Sequence, residues 1–440
     1  MYLLLEQFID FAAREGLLSN AFLVGGAVRD LLLCKALHDF DLAIRSDSLR
    51  VGKRFADQVN GTCVVLDSRF GITRVVKGGR FFDLCTMRGD SILADLGDRD
   101  LTINAMAIPL AEFGEQGPLM GLALKTANPE AHLIDPFRGL QDLRRGIIRM
   151  VSEENLTKDP LRLLRVYRFA ATLGFTVDMA TSSAVRRHAS LIENSAGERV
   201  LEELRHLLQV PTSYRTIRDM ERDSLLFHLF HELDGMPPDA RAKIFRSYSF
   251  VEHILNNPSL YFPSDAGLIE GYFGSAHRVI CLKLATLLPG DMAVSASERM
   301  KMSRAEERCI REIVMNPQRV EASAGTTAAE ATRLFRDLGD AIYPLLVSTI
   351  ASHFICQCAE DPVLVLCRNL LSLYHRDFLP RKRLLPLISG HDLIELFGLS
   401  PSPLFREILS RVDDLVLEGK ISSREEALHF VKERLKLGTA

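Results

Sequence analysis

The chain's 440 residues are too many for one hydrophobic core, so two to four domains are expected. An apolar share of 47% beside 25% charged residues excludes a chain dominated by disorder, and no uninterrupted apolar run reaches the ~20 residues of a membrane-spanning helix. With 54 basic against 57 acidic side chains and a net charge of −3, any surface for a polyanion has to be a local basic patch on a neutral body.

The first residues, MYLLLEQFIDFAAREGLL, resemble a secretion signal, but Glu6, Asp10 and Glu15 interrupt the apolar run and no basic segment precedes it. An amphipathic helix is predicted instead. Up to about residue 150, short strands (AFLVGG, FDLAI, GTCVVLD, ITRVVKG, RFFDLCT) alternate with helical stretches such as LRVGKRFADQV. From about residue 156 strand signals nearly vanish and apolar residues recur every three or four positions. The fold class is therefore α+β, an α/β head on a long helical body.

Breaks in the helical part are expected at Pro211, MPPDARA (236–242), PSLYFPSDAG (258–267) and the basic stretch FLPRKRLLP (378–386). They divide the chain into a head (1–150), a neck (151–212), a body (213–379) and a tail (380–440). The eight cysteines form no CxxC pair, and the close pair Cys356 and Cys358 lacks the partners of a zinc site. They read as reduced thiols of a cytoplasmic chain.

Chemistry concentrates in LVGGAVRDLLLCKALHDFDLAI (23–44). Gly25 and Gly26 stand between a strand and a helix start, where bare backbone approaches a ligand closely and helix N–H groups face an anion. Taken alone this is either a phosphate cradle or a plain tight turn. Asp39 and Asp41, one residue apart in a strand, put two carboxylates on one face while Phe40 and Leu42 point to the core. Such a pair is either a solvated strand face or a Mg²⁺ seat, and its place just after the Gly-Gly turn favours the ion. Asp83, within RFFDLCT, either completes that metal face or alternates toward solvent.

The pattern GG-x-VRD-LLL followed by HDFDLA resembles the first motif of the class II tRNA nucleotidyltransferase and bacterial poly(A) polymerase family, within the polymerase β-like nucleotidyltransferase superfamily. Further stretches extend the likeness in the family's order: DRDLTINAMAI (98–108), IDPFRGLQDLRRGIIRMV (134–151), KDPLRLLRVYRFAATLGF (158–175), AGERVLEEL (196–204) and LISGHDLIELFGLSPSP (387–403). The resemblance implies a polymerase β-like head with a mixed sheet, then an all-helical neck, body and tail in a seahorse-like arrangement with RNA along its inner side. It implies an enzyme that adds C or A residues from CTP or ATP to an RNA 3′ end without a template. Two Mg²⁺ ions on Asp39 and Asp41 would activate the terminal hydroxyl and neutralise the leaving pyrophosphate.

Carried over by motif, the triphosphate contacts fall on Gly26 and Arg29, while Arg99 with Asp100 addresses the ribose. Asp159, Arg162, Arg165 and Arg168 match the nucleotide-binding positions of the neck, where the acid and first arginine select the base. The local physics agrees: Asp159-Pro160 is a good helix start, and the arginines then recur at three-residue intervals on neighbouring faces. The alternative is a capping acid with a solvated arginine stripe.

Three features depart from the family pattern. The neck motif opens with Lys158 where an acid is usual, and Asp98 stands where the first of two arginines is usual in the second motif. The stretch LCTMRGDSILADLGD between Asp83 and Arg99 is short, whereas members that build all of CCA carry a longer flexible loop there; this resembles the CC-adding subgroup. In the body, Pro289 and Gly290 follow CLKLATLL, so His253 and Asp291 lack the adjacent His-Asp pair of a phosphohydrolase, and histidines such as His228 and His231 are expected to be packing or surface residues. The basic PRKRLL (380–385) is either a solvated linker or a phosphate contact. CCA, CC or A addition, polyadenylation and a non-catalytic RNA-binding relative stay open, as does the oligomeric state.

Overall fold

The computed structural model describes residues 2–35, 37, 40–68, 71–113, 130–323, 325, 328–354 and 361–437. Asp39, Cys356 and Cys358 lie outside the described residues. The chain forms two compact units, residues 1–210 with 215–231, and residues 211–214 with 232–440.

The first unit opens with α1 (Tyr2–Arg14), whose Leu4, Leu5, Phe8, Ile9, Phe11 and Ala12 recur at helical spacing and are all buried. The sheet strands follow as β1 (Ala21–Val24), β2 (Asp41–Ile44), β3 (Thr62–Asp67), β4 (Ile72–Lys77), β5 (Arg80–Thr86) and β6 (Ala107–Pro109). Interleaved with them are α2 (Gly26–Leu32), α3 (Ser48–Val59) and α4 (Ile92–Gly97). Strand order is β3-β4-β5-β2-β1-β6, antiparallel except for the parallel pair β2 and β5. Each strand forecast from the sequence is present; β6, buried within the motif that carries Arg99, was not forecast.

Phe8 packs edge-on against Phe55 of α3 at 5.2 Å and lies 5.1 Å from Phe82 of β5, so one aromatic cluster ties α1 and α3 to one face of the sheet. Val24, Ala43, Leu96, Ala105 and Ala107 form a second cluster. Because both are filled, β2 departs from simple alternation: Leu42, Ala43 and Ile44 are all buried, as in a central strand, and Asp41 is the polar residue at its start.

Beyond the sheet come α5 (Gly139–Arg145), β7 (Ile147–Ile148), α6 (Glu153–Lys158), α7 (Leu161–Leu173), β8 (Thr176–Val177), α8 (Met179–His188) and α9 (Gly197–Leu208). Helix α6 is capped by the Ser152 hydroxyl on Asn155 N, and the Asn155 side-chain amide donates to the carbonyls of Gly97 and Arg99 at 2.7 and 2.8 Å. That amide fastens the neck helices to the segment just before Asp100. At the other side of α7, buried Asp223 accepts from Tyr167, Ser182 and Arg186.

The second unit is helical around a buried ion pair. Lys283, in CLKLATLL, lies 2.6 Å from Glu252, and Glu252 also accepts from the backbone N–H groups of Ser213 and Tyr214. His253 Nδ1 and the Tyr261 hydroxyl are 2.9 Å apart, and among the described residues no group of three or more His, Cys, Asp or Glu is placed to hold a metal. In the stretch 378–386, helix Pro362–Leu373 runs on through a wider turn at Tyr374–Phe378 and ends at Lys382, so the expected break falls after that residue and before the helix Gly390–Phe397. A π-type turn absorbs Pro380, whose missing N–H would otherwise interrupt the ladder. Arg381 of the basic stretch then donates to the Leu417 carbonyl at 3.2 Å.

Removing the Lys283 charge leaves Glu252 buried with neutral donors alone, the N–H groups of Ser213 and Tyr214 and the Ser213 hydroxyl. Lys283→Ala is expected to cost about 3 kcal/mol in urea unfolding, whereas Lys243→Ala on the exposed surface should cost less than about 0.5 kcal/mol.

Candidate active site

Strand β1 ends at Gly25, whose φ of +69° belongs to the region that only glycine enters without strain. A Cβ there would sit 2.8 Å from Arg99 Nη1 and 3.4 Å from Asp41 Oδ2. The missing side chain is therefore what lets a guanidinium and a carboxylate close over the turn that opens α2. The structure brings Gly25, Asp41 and Arg99 together, and sets Gly26 beside Arg29.

Each partner is held from behind. Arg99 donates through Nε and Nη2 to Asp95 Oδ2 at 3.2 and 3.0 Å, and Asp95 also accepts from the Arg88 backbone. Arg29 donates to Asn104 Oδ1 at 2.8 Å, pairs with Asp30 and lies 5.1 Å over the Phe169 ring of α7. Cys85, next to this group, donates its S–H to the Leu42 carbonyl, and burial pushes the thiol up to about 12. It stays a neutral wall.

Asp83 pairs in register with Asp41 across β2 and β5, on the same face. Both its oxygens, however, are taken by Arg74, its opposite number on β4, at 2.7 and 2.8 Å, with the guanidinium stacked 4.1 Å over Phe81. Asp83 is thus built as half of a bidentate ion pair beside the site. Sequence inspection missed this because Arg74 comes opposite only once the hairpin register is known.

Asp100 is turned inward, 6% exposed, and accepts from Arg165 Nε at 2.7 Å and from the Leu101 N–H at 2.8 Å. Burial raises its carboxyl, but the charge and hydrogen bond of Arg165, the Arg162 charge and the Leu101 N–H together outweigh that and hold it at about 2. Arg165 also reaches Glu203 of α9 at 3.5 Å. Arg168 lies 2.7 Å from Glu203 and 3.7 Å over the Phe169 ring; burial, with Arg165 beside it, brings its guanidinium down to about 10. Arg29, Arg165 and Arg168 thus surround one phenyl ring, an arrangement that favours anionic company.

At the start of α7, Asp159 Oδ1 accepts from the Leu161 N–H at 3.2 Å, as expected of a capping acid, and its carboxylate also pairs with Arg199 of α9 at 2.8 Å. Arg162 Nη1 donates to the carbonyls of Asp98 and Asn155 at 2.8 and 3.1 Å. Head and neck residues together line a cleft of ≈ 370 Å³: Arg88, Asp95, Arg99 and Asp100 from one side, Asp159, Arg162 and Arg165 from the other. Arg88, Asp95, Arg199 and Glu203 were not singled out from the sequence. The available signals were two i, i+4 spacings, Asp95 with Arg99, which form an ion pair, and Arg199 with Glu203, whose partners lie elsewhere.

The family model of the poly A polymerase head domain matches residues 21–149, and that of the probable RNA and SrmB-binding site of polymerase A matches 174–236. The CC-adding tRNA nucleotidyltransferase of Synechocystis is 31% identical over 94% of this chain and 93% of its own length. The chain belongs to the class II tRNA nucleotidyltransferase family. The A-adding tRNA nucleotidyltransferase of Halalkalibacterium halodurans is 27% identical over 98% of this chain and 92% of its own. The Thermotoga maritima CCA-adding enzyme, solved with tRNA, superposes with a TM-score of 0.69 over 98% and 95% of the two chains; at 22% identity it shows the shared fold. Divalent-metal use belongs to the family.

Two outcomes follow from this geometry. Gly25→Ala, forced into a left-handed backbone and against Arg99, should cost about 1–2 kcal/mol of stability and lower nucleotide incorporation by about 10²-fold in a primer-extension assay. Asp100→Asn should lose about 2 kcal/mol at neutral pH. Because the folded carboxyl titrates below its ordinary 3.8, that stabilisation is present above this value and lost as pH falls toward 2. The wild type's advantage over the variant in urea unfolding should be flat above pH 5 and shrink below it.

Proposed function

We propose that this protein adds cytidylates from CTP to the 3′ end of tRNA without a template, releasing pyrophosphate. The carrying observation is that the Gly25 turn brings Asp41 and Arg99 together beside a cleft whose far wall is Asp159 and Arg162. In this reading the first is the reacting end and the second the base-reading end of one nucleotide site. In the reaction the terminal 3′-oxygen of the RNA bonds to the α-phosphorus, and the bond from that phosphorus to the bridging oxygen breaks.

The chain's own part is positioning and counter-charge. The first N–H groups of α2 with Gly26 and Arg29 seat the phosphates; Arg99, fixed by Asp95, faces the ribose side with Asp100 acting through Arg165. Asp159 and Arg162 present an acceptor and donors to the edge of the base, and Arg165 and Arg168 supply positive potential behind it. Asp41 with Asp39 would hold Mg²⁺: the space beside Asp41 Oδ2 that a Cβ at Gly25 would fill, and the hard carboxylate oxygens, suit that ion. When bound, such an ion acidifies the attacking hydroxyl and neutralises charge on the leaving group. Asp83, its charge taken up by Arg74, stands beside Asp41 as half of an ion pair.

Cytidylate addition is favoured over full CCA by the segment between β5 and Arg99. It contains no free loop: Ser91 caps α4, Asp95 accepts from Arg88 N, and Arg88 pairs with Asp98. In this reading 1–150 is the catalytic head, 151–212 the nucleotide-binding neck, 213–379 the body and 380–440 an RNA-contacting tail. No described helix is long and apolar enough to cross a membrane, and the tRNA substrate implies a cytoplasmic location.

The test uses tRNA ending at the discriminator base, after CC, or after CCA, each with one labelled nucleotide. Two cytidylates on the first substrate and nothing on the others are expected. Adenylate on the CC-ended tRNA would indicate A or CCA addition, long adenylate tails a poly(A) polymerase, and no incorporation a non-catalytic RNA-binding relative. Asp41→Ala should lower incorporation by at least about 10³-fold with its melting temperature unchanged.

A further inference from the structure

Two of the departures from the family pattern meet in space. Asp98 and Lys158 are 60 residues apart in the chain, and Lys158 Nζ lies 2.9 Å from Asp98 Oδ1. Asp98 Oδ2 accepts from Arg88, and Lys158 is also 3.3 Å from Glu154. Where the resemblance leads one to expect an arginine in the head and a glutamate in the neck, this chain has an acid in the head and a cation in the neck. The sign at each position is the reverse of that expectation.

We infer that Asp98 and Lys158 are one compensated, charge-reversed pair that positions the base-reading edge of the cleft against Arg99. The inference rests on the nucleotidyl-transfer reading above. The residues between which the pair lies explain why its geometry matters. The Asp98 carbonyl accepts from Arg162, and the carbonyls on either side of it, those of Gly97 and Arg99, accept from the Asn155 amide. Asn155 in turn offers its own carbonyl to Arg162 and its side-chain oxygen to Lys158 at 3.4 Å. Three consecutive head residues are thus gripped by Asn155, Lys158 and Arg162, and a shift of the Asp98 backbone moves Arg162 and Arg99 together.

The pair is half-exposed, 27% for Asp98 and 46% for Lys158, so its attraction alone contributes little to stability. Its weight lies in excluding like charges. A glutamate at 158 would face Asp98 and Glu154 at once; an arginine at 98 would face Arg88 and Lys158. Either single reversal pushes the clamp apart, and a chain carrying only one would misplace Arg162. Both positions therefore have to change together. Lys158 and Asp98 are positioning residues; neither is required to touch the nucleotide.

The test is a double-mutant cycle of Lys158→Glu, Asp98→Arg and the two combined, read by kcat and KM for CTP, by the ratio of CTP to ATP incorporated, and by melting temperature. Each single reversal is expected to lower kcat/KM for CTP roughly tenfold, to erode the CTP preference, and to drop melting by roughly 2–4 °C. The combined variant restores the attraction between positions 98 and 158 but leaves Arg88 and Glu154 facing like charges, so it should clearly exceed either single reversal in kcat/KM, CTP preference and melting temperature without fully reaching wild type. Additive losses, or single variants indistinguishable from wild type, would overturn the pairing. A wild type that incorporates nothing would instead defeat the nucleotidyl-transfer reading, and recovery of melting in the double variant would still decide whether the two charges act as a pair.

Discussion

A carboxylate almost without water around it needs a cation, and Asp100 finds one in Arg165, 65 residues further along the chain. Everything in the cleft is referenced to that contact. Asp100 follows Arg99 directly, so fixing one carboxylate fixes where the arginine beside it emerges from the head. Arg165 sits one turn into α7, so the same bond fixes where Asp159 and Arg162, at the front of that helix, face the sheet. Glu203 continues the network to α9 through Arg165 and Arg168. Such a buried network is worth less as stability than as registration: a half-satisfied version would be worse than an apolar interface, so only one mutual arrangement of these helices is favourable.

The sheet supplies the other half of the registration. Strand β2 is apolar on both faces from Leu42 onward, so it cannot slip by a residue without burying Asp41. Held there, Asp41 opens the strand at the level of Gly25, and parallel pairing with β5 places Asp83 at the same height. The hairpin of β4 and β5 then brings Arg74 opposite Asp83, which removes one negative charge from the neighbourhood of Asp41. Two acids in equivalent positions acquire different roles because only one has an arginine across the strand.

The helical body uses a different device for the same end. Where the resemblance would allow a hydrolytic metal pair, Lys283 and Glu252 close on one another and on the backbone at Ser213 and Tyr214. The glutamate satisfies N–H groups at the start of the helix Tyr214–Arg222, and the lysine neutralises the glutamate. It is a polar core without an opening, fitted to hold helices together.

Much of the site was legible in the residues alone, for local reasons. A Gly-Gly between strand and helix, alternation in a short strand and Asp-Pro before a periodic apolar run each depend on a few neighbouring torsions. Accordingly the strands, the turn at Gly25 and the helix start near Asp159 all lie where the pattern placed them. The partners lay beyond reach: Arg74 for Asp83, Arg199 for Asp159, Arg165 for Asp100, Lys158 for Asp98. Read one at a time, Lys158 and Asp98 are two unexplained exceptions; brought together they are one salt bridge. Local sequence determined which elements form and which chemical groups they carry, because backbone propensity and period are short-range. Only the tertiary structure decided which charges neutralise each other, because that depends on strand register and helix rotation, which long-range packing sets.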